Sequence, residues 1–275
     1  MNMAIRQFFK RTPVLRDVYR IARAKYQRRR LAKSAGMYFT DLDRFLTAWD
    51  REDGQIVDLK TKDGLILSIR QNHMDAAILA EVFLDNCYVK GLQLPERPIV
   101  VDIGGYIGDF SVYAVKRLNA KRVVACEPSP RNWSLLKRNI ANNGYEDRIT
   151  AIHKAVTSGG DVLMNVDAPD RNQATISAYG PDDPGRTRIP GISLASLFES
   201  QGLRQVDFLK IDCEGGEYDI LLKTPSEVLE NVRRIAFESH EIDGFQAKLE
   251  GVKERLRNEG FIVAVRSSIV YASRP

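Results

Sequence analysis

The stretch VVDIGGYIGDFS at residues 100–111 constrains this chain more than any other. Ile99, Val100 and Val101 read as a buried strand, and Gly104, Gly105 and Gly108 let the backbone turn tightly against a ligand. Phe110, Val112, Tyr113 and Val115 then open an amphipathic helix. Strand, glycine turn and helix in this order are how an open α/β sheet holds a nucleotide-like cofactor. The spacing narrows the cofactor. A dinucleotide site reads G-x-G-x-x-G, whereas this segment reads D-x-G-G-x-x-G, with Asp102 ahead of the glycines. Pyrophosphate needs backbone N–H donors and is repelled by a nearby carboxylate, while a cofactor with a cationic amino-acid end is attracted to one. Asp102 therefore favours S-adenosylmethionine over NAD.

A second signal sits where the first predicts it. Lys121 to Cys126 is a short β-rich run ending at Glu127-Pro128. That is about twenty residues past the glycines, where doubly wound folds place an acid that accepts hydrogen bonds from ribose hydroxyls. The third signal is VDFLKIDCEGGEYDIL, residues 206–221. Val206, Phe208, Leu209 and Ile211 form another buried strand, and Lys210, Asp212, Glu214 and Glu217 crowd its carboxyl end. Such a cluster repels itself unless it binds a hydroxyl, an amine or a metal. The alternative is that Lys210 neutralises Asp212 while Glu214 and Glu217 sit in solvent on a first helical turn.

Together, VDIGGYIGDFS, CEPSPRNWSLLKRNIANN, HKAV at 153–156 and DFLKIDCEGGEYDIL resemble the FkbM family of S-adenosylmethionine-dependent methyltransferases. The resemblance spans roughly residues 55–240, and K-I-D-x-E-G-x-E is its most specific string. It implies a Rossmann-like class I methyltransferase, a doubly wound, mostly parallel sheet of seven strands, and methylation of hydroxyl groups on sugars or natural products. It further implies that Asp102, Gly104 and Gly108, with Gly105 and Tyr106 beside them, hold the methionine end of the cofactor. Glu127, with Pro128 after it, takes the ribose, and Lys154, Ala155 and Val156 lie near the adenine. Gly105 stands where the family usually has alanine, and Tyr106 where asparagine is common.

Methyl transfer needs an acceptor oxygen aligned with the methyl and a group to remove its proton. Asp212, Glu214 and His240, all at predicted strand ends on one edge, are the candidates, with Lys210 among them. A metal-assisted route would use Asp212 and Glu238 to hold a hydroxyl pair through a hard ion such as Mg²⁺. His153 reads as structural or exposed.

Around this core the chain reads as a basic, helical N-terminal extension (1–50), a cap of β-hairpin and helix (51–98) and the cofactor domain (99–275). Residues 55–71 alternate around Lys62-Asp63-Gly64 as a hairpin with a D-G turn, and a helix follows near 75–88. Arg131 to Asn142 reads as a helix with Trp133, Leu136 and Ile140 facing inward. Residues 157–192 are rich in Gly, Pro, Asp and Asn and are a candidate substrate lid. A helix from Gln246 to Asn258 and a hairpin near 261–273 close the sheet.

Charge is unevenly placed. Residues 1–35 carry eleven Lys or Arg against one acid, Asp17, so a local +10 sits on a body of −5. Leu15, Val18, Tyr19, Ala22 and Tyr26 repeat there at helical spacing. Such a segment suits an anionic membrane surface, or packs as a cover helix on the acidic body; nucleic acid is a minor option. The apolar run is too short and interrupted to span a bilayer. Three scattered cysteines, Cys87, Cys126 and Cys213, favour reduced thiols. The expectation is a cytoplasmic enzyme, peripheral at the inner membrane face, acting on a hydroxylated small molecule or glycan. The rival readings are an RNA or small-metabolite methyltransferase and a non-catalytic adapter retaining the fold.

Overall fold

A computed structural model of the chain describes residues 28–164, 187–242 and 244–275. The expected N-terminal apolar stripe, Leu15 to Tyr26, lies outside the described residues, as does the middle of the 157–192 segment read as a lid.

Residues 28–38 are helical and lead into α1 (Leu42–Asp50), whose N-cap Asp41 accepts a hydrogen bond from the Arg44 N–H at 2.9 Å. The expected hairpin follows as β1 (Ile56–Lys60) and β2 (Ile66–Arg70), pairing antiparallel about Gly64 at φ +92°. Helix α2 (His73–Phe83) starts and ends earlier than the 75–88 expected. Its start is fixed by Asn72, which caps the Asp75 N–H at 2.7 Å, and beyond its end Asn86 turns left-handed at φ +51°.

The cofactor domain then runs through β3 (Ile99–Ile103), α3 (Asp109–Arg117), β4 (Arg122–Cys126), α4 (Pro130–Asn142) and β5 (Ile149–Ile152). Four short strands come next: β6 (Ala155–Thr157), β7 (Val162–Met164), β8 (Thr187–Ile189) and β9 (Gly191–Ser193), with β6 paired to β9 and β7 to β8. These flank the segment outside the described residues. The chain continues with α5 (Leu194–Ser200), β10 (Phe208–Ile211), α6 (Glu217–Lys223), α7 (Ser226–Leu229), β11 (Arg234–Glu238), α8 (Phe245–Asn258), β12 (Ile262–Arg266) and β13 (Ile269–Ser273).

Among the described residues seven strands form the central sheet in the order β12-β13-β11-β10-β3-β4-β5. Strands β11 to β5 are parallel, and β13 runs antiparallel to both its neighbours. Successive side chains on a strand face opposite ways. Val100, Val123 and Phe208 accordingly enter one hydrophobic core, and Val101, Val124 and Leu209 enter another. Helices cover both faces, as a parallel sheet requires.

The first core contains Ala35, Phe39, Phe45 and Ala48 from the segment read as an extension, and Leu59, Leu67, Ile69 and Leu79 from the cap. The described part of residues 1–98 thus covers one face of the sheet. In α4 the buried residues are Leu135, Leu136, Asn139 and Ile140; Trp133 is only half-buried, stacked on His153 at 4.7 Å, which corrects its expected inward placement. No helix among the described residues is long and apolar enough to cross a membrane.

Asn139 joins three parts of this fold. It is fully buried, accepts from the Ser68 N–H at 2.6 Å and donates to the carbonyls of Ser68 at 2.9 Å and Ile107 at 2.8 Å. One amide thereby ties the hairpin, the glycine loop and α4 together. Asn139→Ala leaves these backbone groups unpaired in the interior, and should cost about 2–4 kcal/mol in denaturant unfolding, with an unchanged m-value.

Candidate active site

Register sets the site. Ile103, Cys126, Ile211 and Phe237 stand opposite one another across four parallel strands. The residues that follow them, Gly104, Glu127, Asp212 and Glu238, therefore leave the sheet side by side at its carboxyl edge. Between β3 and β10 the chain's direction of travel across the sheet reverses, which is where open α/β sheets form a ligand crevice. Gly104 sits in that gap at φ +75°, and a Cβ there would lie 1.7 Å from the Asp212 carbonyl oxygen. Only glycine allows the two strand ends to meet.

Lys210 lies beneath this contact, 3% exposed. Its ammonium donates to the Gly104 carbonyl at 2.6 Å and stands 3.2 Å from Asp102 Oδ1 and 3.8 Å from Asp212 Oδ2. Burial alone would lower its pKa, but the Asp102, Asp212 and Asp109 carboxylates outweigh it and raise it. Asp102 is fully buried, with Oδ2 accepting from Ser111 Oγ at 2.6 Å. Asp102, expected at the ligand, is not among the residues lining the crevice; it holds Lys210, and Lys210 holds the glycine turn. Asp109, at the first position of α3, lines the crevice instead.

The crevice is bounded on one side by Gly104, Tyr106, Asp109, Glu127, Pro128 and Asn132, with Ile103, Cys126, Ala155, Val156 and Met164 as apolar walls. Gly105, Gly108 and Lys154, expected there, are not among the lining residues. Glu127 Oε2 accepts from the Tyr106 N–H at 2.9 Å, and Oε1 from the Ser129 N–H at 2.8 Å and Asn132 Nδ2 at 3.4 Å. Burial pushes the Glu127 carboxyl up to about 7 against these donors. Burial likewise lifts Asp109 to about 7, with Lys210 opposing and Asp102 adding to the rise. Tyr106 takes φ +48°, and its hydroxyl donates to Asp75, which is fully buried and also held by Arg70 at 3.0 Å. The cap thereby grips the glycine loop.

The other side holds Tyr88, Lys210, Asp212 and Glu214, with Ile78 above. Tyr88 donates to Asp212 Oδ2 at 2.7 Å. His240 Nε2 stands 3.7 Å from both Asp212 Oδ1 and Glu214 Oε2, and Nδ1 lies 3.1 Å from Glu217 Oε1. Burial lowers the His240 pKa, but the bond to Glu217 and the charges of Glu217, Asp212 and Glu214 raise it to about 9. Glu214, left-handed at φ +54°, and Glu238 are both raised, first by burial, then with His240 opposing and Asp212 adding. Glu81, on α2, is lifted to about 7 by desolvation and by Glu238, Asp212 and Asp85. Asp212, Glu238 and His240 also offer ligand atoms within 4.8 Å of one another. The two carboxylates of the metal option are thus close, with an imidazole beside them.

Of the four residues expected to carry chemistry, Lys210, Asp212 and Glu214 line the crevice, and His240 stands behind them against Asp212 and Glu214. Sequence reasoning missed Tyr88 and Asp109 as members of the site, and placed Glu217 in the acid cluster without giving it a role. Glu217 is fully buried and not solvated as the alternative reading had it. His153 is structural: its Nε2 lies 3.0 Å from the Pro128 carbonyl.

Residues 102–263, more than half of the chain, match the family described as the methyltransferase FkbM domain. A methyltransferase named sdnD, from Sordaria araneosa, is 27% identical over 215 residues, 67% of this chain and 81% of that protein. The 31-O-demethyl-FK506 methyltransferase FkbM of Streptomyces tacrolimicus is 24% identical over 224 residues, 70% of this chain and 84% of that protein. A crystal structure of methyltransferase FkbM from Methylobacillus flagellatus KT superposes with a TM-score of 0.50 at 15% identity. It shares the fold over 70% of this chain, which spans 47% of that structure's length.

Asp109 and Glu127 make stability depend on pH. Each holds its proton more tightly when folded, to about 7, than at the ordinary 3.8 and 4.5. Their contribution is therefore full below the ordinary values and is lost as pH rises through about 7. In denaturant unfolding without cofactor, Asp109→Asn and Glu127→Gln should each flatten the fall in stability between about pH 5 and pH 8.

Proposed function

Because the chain belongs to the FkbM methyltransferase family, we propose that it transfers the methyl group of S-adenosylmethionine to a hydroxyl oxygen of a polyhydroxylated acceptor. The acceptor would be a sugar, a glycan or a natural-product precursor. The observation that carries this is the charge of the crevice. Asp109, Glu127, Asp212 and Glu214 line it, and Lys210, the one cation among the described lining residues, is committed to Gly104 and Asp102. Carboxylates here attract the ammonium and sulfonium of S-adenosylmethionine and repel a pyrophosphate or a nucleic-acid backbone. Glu127 Oε2, which accepts one hydrogen bond, retains a lone pair for a ribose hydroxyl, and the walls of Ile103, Ala155, Val156 and Met164 suit the adenine.

The residues present thus fit the cofactor, which when bound supplies a methyl already activated on sulfur. Asp109 would face its cationic end and Glu127 the ribose. Removal of the acceptor proton falls to His240, whose Nε2 points to Asp212 and Glu214, with both carboxylates positioned to accept hydrogen bonds from acceptor hydroxyls. The relative named for 31-O-demethyl-FK506 supports an oxygen acceptor. The metal-assisted alternative has the Asp212–Glu238–His240 approach in its favour. Against it, Asp212 Oδ2 already accepts from Tyr88 and faces the Lys210 ammonium, which a dication would have to oppose.

Calorimetry should show micromolar binding of S-adenosylmethionine. Glu127→Ala should weaken it by about 1–3 kcal/mol; tight NAD binding in its place would overturn the reading. Tritiated methyl from the cofactor should enter a glycan or small-molecule fraction of cell extract, and label in RNA would instead favour the nucleic-acid alternative. His240→Gln should lower turnover by about a hundredfold or more, with cofactor affinity within a few-fold. Turnover should rise as pH climbs toward about 9, where His240 loses its extra proton, and a chelator should leave it unchanged. Loss of rate with chelator, restored by Mg²⁺, would establish the metal route.

A further inference from the structure

Glu217 is a fully buried carboxylate with no lysine or arginine bonded to it among the described residues. Such a group is costly to keep unless its lone pairs are filled. They are filled by the chain around one histidine: Oε2 accepts from the Gly215 N–H at 2.8 Å, and Oε1 from the His240 N–H at 3.1 Å, with His240 Nδ1 also at 3.1 Å. His240 is held at a further point, because Tyr218 Oη donates to its carbonyl at 2.9 Å. The ring is therefore clamped on its Nδ1 side, while Nε2 lies 3.7 Å from Asp212 and Glu214, beyond hydrogen-bond length. Glu238, on the same strand end, adds negative charge nearby.

We propose that Glu217 is a positioning residue for proton transfer: it keeps the imidazole proton on Nδ1, so that Nε2 is the nitrogen presented to the acceptor. The proposal rests on the reading of His240 as the base and adds to it the group that selects its tautomer. A neutral imidazole has one N–H and one lone pair, and whichever nitrogen faces a carboxylate keeps the proton. Glu217 reaches Nδ1 at hydrogen-bond distance, whereas neither Asp212 nor Glu214 reaches Nε2. As the acceptor oxygen bonds to the methyl and the methyl–sulfur bond breaks, its electron pair staying on the departing neutral thioether, the hydroxyl proton passes to Nε2. The Nδ1–H remains on the ring, hydrogen-bonded to Glu217, which stabilises the imidazolium that results.

The test uses the full chain with ¹⁵N-labelled histidine. The sequence has three histidines, so His240→Gln assigns the resonances of His240. Long-range ¹H–¹⁵N correlation at about pH 10, where neutral imidazole prevails, should show the Nδ1–H tautomer. Glu217→Gln removes the negative charge beside Nδ1 and should release His240 from the Nδ1–H form, so that Nε2–H becomes populated. It should lower kcat for tritiated methyl transfer to the labelled extract fraction by about a hundredfold, with KM for S-adenosylmethionine within about threefold. Glu217→Asp, which keeps the carboxylate, should retain Nδ1–H and recover most of the rate. An Nε2–H tautomer of His240 in the unmodified protein overturns the proposal even if no Glu217 variant folds. So does Glu217→Gln with undiminished kcat while His240→Gln is inactive. Undiminished turnover in His240→Gln overturns the base reading instead, a result that the tautomer measurement does not share.

Discussion

Lys210 is the interaction on which the rest of the site depends. Its ammonium is buried between Asp102 and Asp212 and bonded to the carbonyl of Gly104, so one cation fixes a strand residue, a turn and the first acid past the neighbouring strand. Removing one partner from a buried pair typically costs about 3–5 kcal/mol, because the remaining charge is left without compensation. Replacing Lys210 by a neutral residue would leave Asp102 in that position, with Ser111 alone to satisfy it. The glycine turn is thus held electrostatically from below and sterically from the side.

The parallel register extends this arrangement across the sheet. Because Ile103, Cys126, Ile211 and Phe237 align, Glu127, Asp212 and Glu238 emerge on one edge without a long loop to carry them. Side chains on parallel strand ends are more rigidly placed than side chains on loops. The raised pKa values of Glu127, Asp109, Glu214 and Glu238 show the electrostatic cost of bringing those carboxylates into partial burial. A cationic ligand entering the crevice relieves it.

The sequence made the local parts of this site legible and left the distant ones dark. The strand–glycine–helix unit at 99–117 was readable because its signals are contiguous and each has a local cause. Glu127 was readable because its distance from the glycines is set by one βαβ turn. The burial of Asp102 is not legible locally, because its partner Lys210 lies on a strand more than a hundred residues later. Tyr88 was invisible for the same reason: its hydrogen bond reaches Asp212 across 124 positions. Glu217 carried a signal, as the last acid of K-I-D-x-E-G-x-E, but an acid on a first helical turn is ordinarily solvated, and only packing shows that this one is not. Asn72 could have placed the start of α2 by its capping chemistry alone.

The residues that match the family begin at 102, yet Ile78 and Tyr88 form part of the crevice wall, and the helix between residues 73 and 83 also carries Glu81. The carboxylates at the crevice edge therefore belong to the shared region, while one wall of the crevice is supplied from outside it. Tyr106 bonds Asp75 at the start of that helix, and Leu79 and Tyr88 share the first hydrophobic core with Val100 and Phe208. Under the function proposed above, replacing that wall would reshape the acceptor space and leave the carboxylates of the family region in place.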